Sequence, residues 1–127
     1  MHSHRSFFNP PAQPHDVVLD VLERALADRA HGGEAANALV GSALHDDDRE
    51  FVERCCLMVG TRAHPGSPLL GLAALCLGHT ARRFGRLGDE ALALVHSLAA
   101  RAEADPQDVD GRALDGLDDT RSFLHLW

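Results

Sequence analysis

A histidine and a pair of carboxylates are the residues that could do chemistry in this chain. His79 sits inside one apolar stretch, and Asp118-Asp119 interrupt another. A carboxylate that orients an imidazole makes a general base. Arg82 and Arg83 lie one helical turn beyond His79 and can join the same polar network. A hydrolytic site would also need a Ser or Cys nucleophile in matching register, and phosphate chemistry would need a glycine-rich loop. Neither accompanies the pair. His79, Arg82, Arg83, Asp118 and Asp119 therefore read as a structural network between helices, and no catalytic residue is expected.

Metal chemistry is the next class to weigh, because the chain has nine histidines. His2 and His4, with an acid from elsewhere, could bind a metal weakly. No CxxC, HxxxH or HExxH spacing occurs. Cys55 and Cys56 would point about 100° apart on a helix, so they cannot readily share one ion. No metal or other cofactor is expected. Three cysteines (Cys55, Cys56 and Cys76), two of them adjacent, do not form a secreted disulfide framework. All three fall in apolar helical stretches, where free Cys behaves as a small hydrophobe. They are expected to be reduced and mostly buried.

Acidic residues outnumber basic ones by 19 to 12, a net charge of −7. That balance disfavours nucleic acid, whose phosphates would be repelled, and anionic membranes. It suits either plain solubility or a basic protein partner. Asp108, Asp115, Asp118 and Asp119 lie along the last helical segment. Arg112 sits four residues after Asp108 and three before Asp115, so part of this charge pairs locally. The remainder is either a solvated face or a candidate docking patch for a basic partner.

These residues must be positioned by helices. Ala and Leu dominate, β-branched and aromatic residues are few, and the length suits one domain. No stretch approaches the ~20 apolar residues of a membrane span, and the start lacks the apolar core of a signal peptide. A cytoplasmic location is expected. Residues 1–15, rich in proline, read as an extended arm, and 16–127 as a single helical domain. Six helices are predicted. The first runs over about 17–30, capped by Asp16 and ended by Gly32-Gly33. The second covers about 34–44, and the third about 48–59, with a capping box from Asp47 to Glu50. The fourth starts at Ser67-Pro68 and stops at Gly85. It is apolar nearly all round, with a stripe of small residues, Gly71, Ala74, Gly78 and Ala81, that would admit a neighbouring backbone. The fifth, about 90–103, is capped by Asp89. The sixth follows Asp105-Pro106 and ends near Leu124.

Residues 47–84 align with residues 87–124 at a shift of 40. Val52 falls on Leu92, Gly71 on Gly111, Leu77 on Leu117 and Thr80 on Thr120. The first helix pair fits more loosely, at a shift of about 34 to 37. The expectation is an all-α fold, a right-handed stack of three antiparallel helix pairs of the HEAT or armadillo solenoid kind. The plain alternative is a six-helix bundle. The same register sets His79 against Asp119, so His79 is expected within hydrogen-bonding reach of Asp119 or Asp118.

The stretch from Asp46 to Leu124 resembles a family of small bacterial proteins. The resemblance rests on Cys55-Cys56, on Leu77-Gly78-His79-Thr80-Ala81-Arg82, and on Asp105-Pro106 followed by Gly111-Arg112-Ala113-Leu114-Asp115-Gly116-Leu117-Asp118-Asp119 and Phe123-Leu124. Such proteins are similar to HEAT-like immunity proteins of bacterial toxin–antitoxin and contact-dependent inhibition loci. The resemblance implies a non-catalytic role, binding and neutralising a co-encoded toxin. A structural or regulatory scaffold in a larger assembly is the alternative. Gly116 departs from the family, which often has Ala there. That departure weakens the helix without touching the implied function.

Overall fold

Helix-favouring composition carries through into helix almost everywhere in the computed structural model, which describes residues 10–125. Six α-helices occur, with no strand among the described residues: α1 (His15–Ala27), α2 (Gly32–His45), α3 (Arg49–Arg62), α4 (Pro68–Phe84), α5 (Asp89–Ala104) and α6 (Arg112–Leu124). A single 3-10 turn, Arg29–His31, joins the first two. Residues 1–9 of the expected arm, with His2 and His4, lie outside the described residues, as do Leu126 and Trp127. Residues 10–14 are non-helical and pack on α2: Pro10 is buried, and a Cβ on Gly41 would meet the Pro11 carbonyl oxygen at 2.3 Å.

Local chemistry explains the best-defined helix ends. The Ser67 hydroxyl accepts from the Leu69 amide at 3.2 Å, Pro68 takes the first position, and Gly85 closes α4 at φ 69°. The cap of α3 is Asp48, accepting from the Phe51 amide at 3.1 Å, one residue later than the expected capping box. Other ends differ more. Gly32 and Gly33 begin α2 instead of ending α1, because the 3-10 turn already reverses the chain and their backbone is helical. Asp16 lies in the first turn of α1 behind a Pro14 cap, and Asp89 is the first residue of α5 behind Gly88. Asp105-Pro106 does not open α6. The Asp105 carboxylate accepts from the Gln107 amide at 2.9 Å, closing a turn, and the helix waits until Arg112.

Burial follows the helical periodicity. The core runs through Leu22, Leu39, Val52, Val59, Leu70, Leu77, Val95 and Leu98, each fully buried, and α4 contributes most of its length to it. Each helix packs on the next along the chain, and α2, α4 and α6 also pack on one another in that order, as do α1, α3 and α5. The most extensive contact is α4 with α6. There the predicted small-residue stripe works as expected. A Cβ on Gly116 would lie 2.3 Å from the Ala74 carbonyl oxygen, and one on Gly78 would lie 3.0 Å from the Gly116 oxygen. Gly116 is therefore not a mere weakening of α6, since it is where the two backbones meet.

Two further pairs of features recur 40 residues apart. The helix C-caps Gly85 and His125 are both left-handed. Thr80 and Thr120, both fully buried, donate back to the Cys76 and Gly116 carbonyls at 2.8 and 2.7 Å.

Candidate functional site

The five residues expected to form one network are pulled toward three different places. His79, half-buried in α4, does lie close enough to Asp119 of α6 to feel its charge, but no hydrogen bond joins it to Asp119 or Asp118. Burial lowers its pKa from the ordinary value, Asp119 opposes that shift, and Arg82 adds to it. Arg82 lies over the Phe123 ring, 5.7 Å from its centroid. Arg83 turns away from α6 altogether. It donates to the Ala43 and Asp46 carbonyls at 3.0 and 2.8 Å and reaches Asp47 at 3.4 Å. A guanidinium on the last carbonyls of α2 satisfies groups that have no helical partner and sits at the negative end of that helix. Register alone placed Arg83 with His79. Its side chain leaves α4 on the α2 side.

A histidine–aspartate hydrogen bond forms elsewhere. His15 Nε2 lies 2.8 Å from Asp46 Oδ2, and its ring stacks on Phe51 with centroids 3.5 Å apart. The Asp46 side chain is 8% exposed, and its other oxygen accepts from the Asp48 amide at 2.8 Å. This contact ties the start of α1 to the corner between α2 and α3. The two residues are 31 apart in the chain and share no local spacing, so nothing in the sequence pointed to them. Ser42, equally unannounced, is fully buried with its hydroxyl unbonded.

The acidic positions also divide. Asp108 is held in a two-pronged pair by Arg101, at 2.7 and 2.8 Å, which lowers its pKa below the ordinary range. Arg112 pairs with Asp110 and with the Pro68 carbonyl at 2.7 Å, not with Asp108 or Asp115 as expected. Its helix begins only at residue 112, so the four-residue spacing from Asp108 spans a turn. Asp115 and Asp118 remain exposed on α6, and Asp119 is half-buried. Asp118 and Arg121 border an open groove of about 360 Å³ between α5 and α6, with Leu114, Leu117 and Ala99 as its apolar lining and Glu103, His96 and Ala100 contributed by α5. A smaller cavity of about 120 Å³ lies between Arg29, His64 and the Ser67 cap.

Charge is distributed unevenly along the chain. Residues 88–127 carry nine acidic and three basic side chains, hence −6 of the net −7. Arg101 and Arg112 are paired with Asp108 and Asp110 within the segment, and the third base, Arg121, lines the groove. This asymmetry was legible in the sequence once the chain was divided at the end of α4.

The cysteines Cys55, Cys56 and Cys76 are all free and buried, and burial pushes the Cys55 and Cys76 thiols up to about 12. Among the described residues no cluster of three His, Cys, Asp or Glu could hold a metal ion, and no helix is long and apolar enough to cross a membrane. No protein-family model matches the chain, and neither a curated protein nor a solved structure matches it.

Proposed function

We propose that the chain is a non-catalytic protein-binding module, a right-handed stack of three antiparallel HEAT-like helix pairs, that binds and neutralises a co-encoded bacterial toxin in the cytoplasm. The observation that carries the binding reading is the accumulation of negative charge on the last helix pair, beside an open groove with an apolar floor. Charge of one sign on one part of a small domain steers a partner of the opposite sign and speeds its encounter. The stack reading is supported by the order of helix contacts and by the left-handed caps and buried threonines that recur 40 residues apart. The immunity role is supported by the resemblance of residues 46–124 to HEAT-like immunity proteins.

The test is co-expression with the toxin candidate encoded beside the gene. Full expression of this protein should restore growth and yield a complex that purifies intact. Undiminished killing at full expression would refute the role.

A further inference from the structure

In the interior of the stack, α3 and α4 present a face that α5 and α6 cover. Gly60 of α3 lies under Leu94, where a Cβ would come within 2.6 Å of Cδ2, and Ala74 and Gly78 of α4 lie against Gly116. Moving that face on by one repeat gives the outer surface of α5 and α6. Gly60 becomes Ala100, and Ala74 and Gly78 become Leu114 and Asp118. All three border the open groove, which Leu117, Ala99, Glu103, His96 and Arg121 also line. The groove is thus the counterpart, one repeat on, of a helix-receiving surface. Leu114 and Leu117 stay only partly buried in it, while Glu103 and Asp118 are exposed.

We propose that this groove docks an amphipathic helix of a basic partner, resting on the protein-binding reading above. The apolar stripe of that helix lies on Leu114, Leu117 and Ala99, and its lysines or arginines face Glu103 and Asp118. A helix fits because a groove between two helices accepts the ridge of a third, as the inner pair already does. A basic partner fits because the segment that forms the groove holds −6 of the net charge, and two carboxylates, Glu103 and Asp118, line the groove against one arginine, Arg121. A second copy docked face to face would oppose two such segments, and residues 1–87, at a net −1, carry no excess of basic charge to draw one head to tail.

The probe is a fluorescent synthetic peptide with leucine and lysine at amphipathic helical spacing, read by anisotropy against the full chain. Three comparisons accompany it: a leucine–glutamate peptide of the same pattern, a scrambled leucine–lysine peptide, and sedimentation of the protein alone. The groove variants are Glu103→Lys/Asp118→Lys and Ala100→Trp, all at exposed positions. Asp16→Lys/Glu50→Lys makes the same change of charge at exposed positions on other helices. We expect binding of the leucine–lysine peptide alone, weakened about tenfold or more by each groove variant and little changed by the control pair. The proposal is overturned if the wild-type chain does not bind, if the scrambled peptide binds as well, or if the control pair weakens binding equally. A dimer that Ala100→Trp converts to monomer would assign the groove to a second copy and overturn it too. Growth rescue by co-expression without peptide binding would remove the groove and leave the protein-binding reading standing.

Discussion

Replacing Gly116 by Ala sets a local gain against a tertiary loss. Ala is favoured over Gly in a helix interior by about 1 kcal/mol, so on local grounds the change stabilises α6. The new Cβ would lie 2.3 Å from the Ala74 oxygen, 2.5 Å from the Ala74 carbonyl carbon and 2.9 Å from the Leu75 nitrogen. All three are backbone atoms of α4, so no side chain can rotate out of the way. Ordinary contact needs about 3.5 Å, and α6 must retreat from α4 by roughly 1 Å to restore it. That retreat loosens the most extensive helix contact in the molecule, including the buried Thr120 and Ala113. Overpacking of this kind costs about 1–3 kcal/mol, and more when a whole interface shifts. With the cost at the upper end, the net loss is about 2 kcal/mol, or roughly 6–10 °C in Tm for a domain of this size. Urea and thermal unfolding followed by circular dichroism measure it. Gly33→Ala is the control, because nothing lies within 4 Å of its added Cβ in the first turn of α2. It should be neutral or stabilising by up to about 1 kcal/mol. If Gly116→Ala were as stable as the parent chain, the close approach of α4 and α6 would be wrong.

Three other outcomes follow from the same structure. Ser42→Ala removes a fully buried hydroxyl that has no partner and improves helix propensity, so unfolding in urea should show a gain of about 0.5–1.5 kcal/mol; a loss of stability would mean that the hydroxyl is bonded. For His79 the folded pKa is lowered below the ordinary 6.5, chiefly by burial, so the unfolded chain binds more protons as the pH falls past that value. Its contribution is complete above 6.5 and is lost as pH falls through the folded pKa. A urea series from about pH 7.5 to 5 should show declining stability, with a shallower decline in His79→Gln. The three cysteines should resist thiol reagents in the native protein at mildly alkaline pH, because they are buried and their thiols are held protonated, Cys55 and Cys76 up to about 12; labelling should track unfolding, and rapid labelling of all three in the folded chain would contradict the packing.

Local interactions made much of this protein readable from its residues alone. Helical periodicity, the Ser67-Pro68 start and the Gly85 stop depend on neighbours within a turn or two, and sequence spacing reports those directly; the apolar surroundings of Cys55, Cys56 and Cys76 in the sequence likewise marked the faces that become buried. The small-residue stripe on α4 also announced a close neighbour, because only a missing side chain admits another backbone. The identity of polar partners was another matter. Arg112 could choose among three aspartates within four residues, and it took Asp110 because α6 begins at 112 and the Pro68 carbonyl lies on that side. His79 had the right register for Asp119 but not the hydrogen bond, whereas His15 met Asp46 across 31 residues. Spacing along a chain tells which side chains share a face of one helix. Which long, rotatable side chain reaches which acceptor on another helix is decided by distances of an ångström or two between packed elements, and those exist only once the tertiary structure has formed.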